Sequence, residues 1–377
     1  MAERVDLVVV GLGAMGAAVA WRAALRGLRV AGFDARHPPH LEGSTHGHSR
    51  IIREAYFEHP QYVPLVRRAY ALWAELEAAS RVRLFQATGG LMIGAPDGVV
   101  VSGTLRAARA HDLAVQTWTS AEIRQRVPVL RPEPDMIGVF EPRAGILAPE
   151  KAVSAMLGLA ATLGARFAMD EPVLEWAAGD AGVVVRTPRQ EVRSTAVVLA
   201  AGPWTAPLVR GLPLPLAVER QVQYWYPTAG DARFSPGALP VFLVDAPDGA
   251  TLYGLPDQGR GLKLARHHGG AIVSADAVDR AVGTEEQARF HALASRWVGG
   301  LPPAAASATV CLYTNTPDGD FVLGRHPESP AVYVCSACSG HGFKFAPAVG
   351  EVVVSEVADG VTVEALAPFR PSRFAPR

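Results

Sequence analysis

Asp6-Leu7-Val8-Val9-Val10-Gly11-Leu12-Gly13-Ala14-Met15-Gly16 is the stretch that decides the fold. A β-branched apolar run stops at a glycine turn, and residues 14–26 continue as a helix that closes at Gly27. Residues 29–33 are again strand-like and end at Asp34. Strand, helix and strand make a βαβ unit. Gly11, Gly13 and Gly16 stand where a dinucleotide loop requires them. They allow the turn and bring a pyrophosphate close to the helix N-terminus, whose dipole favours negative charge. Asp34 closes the second strand, where an acid takes ribose hydroxyls. The fingerprint alone does not separate FAD from NAD.

Working outward, a chain of 377 residues exceeds one ordinary core and implies roughly two domains. Residues 62–76 carry Tyr62, Leu65, Val66, Ala69, Trp73 and Leu76 at helical spacing, with Pro64 tolerated in the first turn. From 83 to 141 the pattern changes to short strands, such as 90–93, mixed with one helix at 120–126. Helical patterns return at 151–163, 284–296 and 346–358, and alternating strands fill much of 214–312. The expected class is α/β (α+β): a Rossmann-like dinucleotide domain and a discontinuous, β-sheet-rich substrate domain. The first takes residues 1–82, 142–213 and 313–377; the second takes 83–141 and 214–312.

Formal charge is zero, so composition offers no argument for nucleic acid or an anionic membrane. No apolar stretch reaches the ~20 residues of a membrane span, and the first residues lack a signal-peptide pattern. A soluble cytoplasmic protein is expected. Cys311, Cys335 and Cys338 are no disulfide framework. Cys335-x-x-Cys338 lacks two further ligands for zinc and a thioredoxin-like context, so it reads as a pair of structural thiols. Lysine occurs only at 151, 263 and 344, and asparagine only at 315. High-GC coding or a thermophilic origin would each explain that bias.

Several segments carry candidate chemistry. In Ser44-Thr45-His46-Gly47-x-x-Arg50 the hydroxyls of Ser44 and Thr45 can donate to phosphate oxygens. The loop lies about ten residues beyond the ribose acid. Arg50 and Arg53 sit among Ile51, Ile52 and Ala55; desolvated cations need anionic partners. In residues 308–313, period-two alternation puts Cys311 and Tyr313 on one face. A buried core thiol is the plain reading of Cys311. Lys344 follows Gly340-His341-Gly342-Phe343 at a helix mouth, where the dipole opposes a cation unless an anion is present. Lys263 and His267 share a face of a strand-like run, with Tyr253 nearby in sequence.

The glycine fingerprint, the Ser44–Arg50 loop, Cys311-Leu312-Tyr313-Thr314-Asn315-Thr316-Pro317-Asp318 and Gly340–Phe345 together resemble the monomeric sarcosine oxidase and N-methyltryptophan oxidase family. The resemblance runs over nearly the whole chain. It implies FAD held covalently through Cys311, with Gly340, Gly342, Phe343, Lys344 and Val173 among the cofactor contacts. It implies Arg50 near the flavin ring, and Arg53 and Lys344 on the substrate carboxylate. Lys263 would face flavin N5 by way of water, with His267, Tyr253 and Tyr313 in the pocket. A thiol that attacks the flavin needs a lowered pKa or a nearby base. The implied reaction oxidises a small secondary amino acid such as sarcosine with O2, giving hydrogen peroxide and an imine that hydrolyses. A monomer acting on a small molecule, without nucleic acid or membrane, is the matching expectation. A glycine-oxidase-like enzyme for a larger N-substituted substrate is the alternative. An NAD-dependent dehydrogenase would leave Cys311 and the Ser44–Arg50 loop unexplained.

Overall fold

The computed structural model describes residues 3–374. Its first sheet grows from the βαβ unit. Strand Glu3–Val10 runs parallel to Val30–Phe33 on one side and to Glu191–Leu199 on the other. Val8 and Val9 are fully buried, as expected of a parallel strand covered on both faces. The second half of Glu191–Leu199 pairs in parallel with Ser329–Ser336, so this sheet joins the beginning, middle and end of the chain. Helix Ala14–Leu25 buries Ala17, Ala18, Ala20, Ala23 and Ala24. These small side chains let helix Ala346–Asp359 come close: a Cβ at Gly350 would stand 2.6 Å from the Ala18 carbonyl oxygen.

The second sheet has eight strands in the order Ser307–Asn315, Ala217–Tyr226, Leu262–His267, Thr251–Leu255, Val241–Asp245, Gly90–Gly94, Ile137–Glu141 and Gln116–Thr119. Only the pair Val241–Asp245 and Gly90–Gly94 is parallel. One face carries Leu91, Ile93, Phe242, Val244, Leu252, Leu262 and Leu264, packed with Phe290, Ala294 and Trp297 of helix Thr284–Trp297. Side chains alternate along a strand. Met92, Leu243, Tyr253, Lys263, His267, Cys311 and Tyr313 therefore share the opposite face, which looks toward the dinucleotide unit. A small third sheet, Arg50–Ile52 with Gly145–Leu147 and Phe85–Ala87, carries the start of the arginine segment.

The helices expected from residues 62, 120, 151, 284 and 346 are Val63–Ser80, Ser120–Arg126, Pro149–Thr162, Thr284–Trp297 and Ala346–Asp359. One element differs. Between 83 and 141 the chain forms a second helix, Val99–His111, where the sequence suggests only short strands. Its opening valines are β-branched and read as strand. The burial of Val100, Val101, Thr104, Ala107 and Ala108 along one face overrides that propensity. No helix of the described residues is long and apolar enough to cross a membrane.

Candidate active site

A cavity of about 450 Å³ lies between the first sheet and the free face of the second. Gly11, Gly13, Asp34, Ser44, Thr45 and Val173 line one end. Gly11 has φ +87°, and a Cβ there would fall 2.6 Å from the Ala200 carbonyl oxygen. A Cβ on Gly16 would overlap the Gly11 carbonyl oxygen at 1.7 Å, so this glycine serves helix-to-turn packing and does not line the cavity. A Cβ on Gly13 would meet nothing nearer than Thr45 Oγ1 at 3.7 Å, which leaves room for a ligand. Asp34 Oδ2 accepts from the Leu12 amide at 2.7 Å, and Oδ1 from the Arg36 amide at 2.9 Å. The buried Ser44 hydroxyl has no protein partner. An open glycine, an orphaned hydroxyl and a fixed ribose acid fit an FAD diphosphate and its adenosine ribose.

Farther along, Arg50 donates to the carbonyls of Ser49 at 2.9 Å and Ser44 at 2.8 Å, and its guanidinium stands 3.6 Å from Cys311 Sγ. Cys311 is 1% exposed. Burial raises its thiol pKa, while Arg50 and Lys263 pull it down without reversing the rise. The acidified thiol that the chemistry calls for is therefore not found in this arrangement. Lys263, 2% exposed, donates to the carbonyls of Gly47 and Ser49, both at 2.8 Å. Burial, and then the Arg50 charge, push its pKa well below the ordinary lysine value. Neither Cys311 nor Lys263 forms the cavity wall; both sit just behind it, beside Leu312 and Ser49, which do.

Arg53 and Lys344 come together at the other end, although 291 residues separate them in sequence. Arg53 is 5% exposed, and one of its nitrogens reaches both oxygens of Glu58 at 2.7 and 2.6 Å. Burial pushes Glu58 up, but Arg53, His341 and Lys344 bring it down to about 2. Glu141, at the end of strand Ile137–Glu141, accepts from the amides of Glu54 and Ala55 at 2.7 and 2.8 Å and so fixes the backbone that aims Arg53. Lys344 lies in the 3-10 turn Phe343–Phe345, ahead of helix Ala346–Asp359. Its Nζ donates to the His341 carbonyl at 2.7 Å. Burial and the Arg53 charge lower it to about 7, with Glu58 acting in the opposite direction. Trp73 Nε1 donates to the Lys344 carbonyl at 2.8 Å and anchors this turn.

His267, Tyr253 and Tyr313 form the wall between these ends. His267 Nδ1 is 3.3 Å from the Tyr313 hydroxyl, and burial drives the histidine pKa well down. Behind them, buried Glu219 accepts from Gln221 (2.7 Å), the Gly270 amide (2.7 Å) and Asn315 (2.6 Å), and stands 3.1 Å from His268 Nδ1. It clamps the turn that follows His267. Sequence reasoning missed Glu58, Glu141, Glu219 and His341. His341, inside a quoted motif, carries the Tyr56 hydroxyl on Nδ1 at 2.6 Å and the Gly319 carbonyl on Nε2 at 3.0 Å. Glu54 and Glu58, one and five residues after Arg53, were the acids the sequence offered as an internal counter-ion, and the structure pairs Arg53 with Glu58. Cys335 is buried with its thiol pushed up to about 12, as suits a structural thiol. Cys338 Sγ accepts from the Thr314 amide at 3.3 Å.

Residues 6–356 match the family model described as FAD dependent oxidoreductase. The chain belongs to that family. Within it, monomeric sarcosine oxidase of Streptomyces avermitilis is 38% identical over 380 residues, covering 100% of this chain and 99% of that protein. N-methyl-L-tryptophan oxidase of Yersinia pestis is 36% identical over 372 residues, covering 98% and 99%. Among solved structures, NikD, an amino acid oxidase essential for nikkomycin biosynthesis, superposes with a TM-score of 0.86 at 24% identity, over 98% of each chain. That likeness concerns the fold. The expected α/β architecture and FAD dependence hold for this oxidoreductase.

Proposed function

We infer that this oxidoreductase is an oxidase of secondary, N-methyl amino acids of the sarcosine type, with O2 as acceptor. The observation that carries the reading is the meeting of Arg53 and Lys344 at the cavity end away from the glycine fingerprint. Two basic side chains from distant parts of the chain suit one carboxylate, and a guanidinium pairs with both of its oxygens. Bound FAD supplies the acceptor of the substrate's hydride equivalent and the reductant of O2. Arg53 and Lys344 would hold the carboxylate. Tyr253, His267 and Tyr313 would wall the amine and exclude water, Arg50 would place positive charge beside the ring, and Lys263 would gain its proton as negative charge develops there. For sarcosine, O2 and water, the products are glycine, formaldehyde and hydrogen peroxide. Peroxide release on adding N-methyl amino acids tests this directly; an enzyme that holds flavin but releases none with any of them is something else. A larger N-substituted amino acid is the alternative. We further propose a cytoplasmic monomer that binds neither nucleic acid nor membrane, with the domain division given by sequence.

The flavin is proposed to be covalent through Cys311, supported by the family-like segment around it and by the adjacent Arg50 guanidinium. Acid precipitation of pure protein should leave the yellow colour in the pellet, and Cys311→Ala should release it to the supernatant. Colour retained by Cys311→Ala would refute the link.

Lys344 gives the carboxylate site a pH dependence. With its pKa near 7, it is charged below that value and loses its proton above it. A carboxylate favours the charged form, so affinity should be flat below about pH 7 and fall by up to about tenfold per unit above it. Glu58 at about 2, His341 at about 4 and the depressed His267 do not titrate in this window. Acetate binding, followed through the flavin absorbance, should lose this slope in Lys344→Met. A slope kept by that variant would assign the titration to another group.

A further inference from the structure

We propose that a second cavity, across the Gly47–Ser49 loop from the main one, binds a small inorganic oxyanion such as phosphate, whose charge favours the ammonium form of Lys263. The cavity measures about 270 Å³ and shares no lining residue with the main one. Its inner wall is His46, Gly47 and Trp225, all buried, and its rim includes the exposed Arg260 and Ser307. Strand register builds one side: Trp225 is the direct partner of Ser307 on one neighbouring strand and of Lys263 on the other. Lys263 sits at the partition between the two cavities. Its Nζ donates to the carbonyl of Gly47, which lines this cavity, and to that of Ser49, which lines the main one.

The lining calls for an anion. His46 is 0% exposed, yet neither ring nitrogen has a hydrogen-bond partner. A buried polar group left unpaired is costly. Burial, and then Arg50, Lys263 and Arg280 as cations, lower its pKa to about 3. The ring is therefore neutral and offers one N–H. The same cations make a positive field at the ring, which a negative guest relieves. Arg260 bonds only through its amide, to Asp257 at 3.0 Å, so its guanidinium is unpaired among the described residues. No acid of the described residues lines the cavity. Glu150, the acid that ties the loop, is held by the amides of Gly47 and His48 at 2.7 and 2.9 Å. A guanidinium fork, an imidazole N–H and the hydroxyls of Ser307 and Thr309 suit the several acceptors of an oxyanion. An anion here would act on Lys263 across Trp225, whose ring centre is 5.4 Å from Nζ. Unlike charge opposes the burial that depresses this lysine. The effect on catalysis rests on the Lys263 reading above; the site itself does not.

Phosphate is titrated into the holoenzyme at fixed ionic strength, in exchange for a bulky organic sulfonate. Binding is read by calorimetry, and reoxidation of the reduced flavin by stopped flow. Wild type should bind phosphate saturably and reoxidise severalfold faster when saturated. Arg260→Gln, at the exposed rim, should keep the phosphate-free rates and bind phosphate at least about tenfold more weakly. Thr309→Val should weaken binding to a smaller extent. Lys263→Met should still bind phosphate but lose the acceleration. Absence of saturable binding overturns the proposal. So does binding that ignores Arg260→Gln and is lost in Arg53→Met, which would put the anion on the carboxylate anchor instead. Binding that depends on Arg260 but leaves reoxidation unchanged keeps the site and refutes its link to Lys263. If Lys263→Met reoxidises at the wild-type rate without phosphate, the Lys263 reading falls, and the Arg260 comparison still decides the site.

Discussion

Replacing Arg53 by methionine should weaken the binding of N-methyl amino acids roughly tenfold to a hundredfold. A hydrogen bond to a charged group contributes about 1.5–3 kcal/mol, and each 1.4 kcal/mol is about a factor of ten in affinity. The structure sharpens this expectation, because Arg53 already has an acidic partner in Glu58. A substrate carboxylate must share the guanidinium with it. Removing Arg53 also leaves Glu58 as a partly buried acid without its cation, and that acid would repel the incoming carboxylate. The single variant therefore overstates the worth of the contact. The double variant Arg53→Met with Glu58→Gln removes both charges and isolates it. An amine without a carboxylate should lose little in either variant, since it has no anion to release. Lys344→Met is the less clean probe, because Lys344 also bonds within its own turn. The result that would sink the assignment is an Arg53→Met enzyme with unchanged affinity for N-methyl amino acids and a reduced affinity for uncharged amines.

The pairing of Arg53 with Glu58 shows where sequence reading runs out. A desolvated arginine predicts an anion, and the chain supplies one five residues later. Which acid is chosen depends on the backbone between them, and Glu141 fixes that backbone from 86 and 87 residues away. No local pattern announces such a contact. By contrast, the βαβ unit was legible because its signals are local: a strand, a turn needing glycine, and a helix at 3.6-residue spacing. The shared face of Cys311 and Tyr313 was legible for the same reason, being simple alternation along one strand. The cavity-facing pairing of Met92 with Leu243 was not. Met92 and Leu243 meet through a parallel pairing of strands about 150 residues apart, and parallel pairing leaves no hairpin signal. Helix Val99–His111 escaped because β-branched residues at its start imitate a strand until burial decides. The chemistry of Cys311 was only half legible: its position follows from the motif, but its thiol is raised by burial, a tertiary effect.

Lys263→Met should leave flavin reduction by substrate within a few-fold of wild type while slowing reoxidation in air by about 10²–10³-fold, the scale of removing one preorganised electrostatic group. The argument begins with the lysine's burial. A cation without solvent is expensive, and this one is held by two backbone carbonyls, Gly47 and Ser49, and by the face of Trp225 at 5.4 Å. Burial and the nearby Arg50 favour the neutral form and outweigh the opposing pull of Cys311 and Glu150. Such a balance makes the amine responsive: negative charge developing on oxygen beside it would favour the ammonium. The amine half-reaction moves charge differently, because a neutral amine delivers a hydride equivalent and needs no new cation there. Methionine keeps the length of the side chain and removes the charge, so the lost term is electrostatic. The reductive rate, measured on the same protein by stopped flow, controls for damage to the fold, since a distorted pocket would slow both steps. Wild-type rates in both half-reactions would show that Lys263 only ties the Gly47–Ser49 loop to the sheet. Equal losses in both would show that it shapes the pocket as a whole.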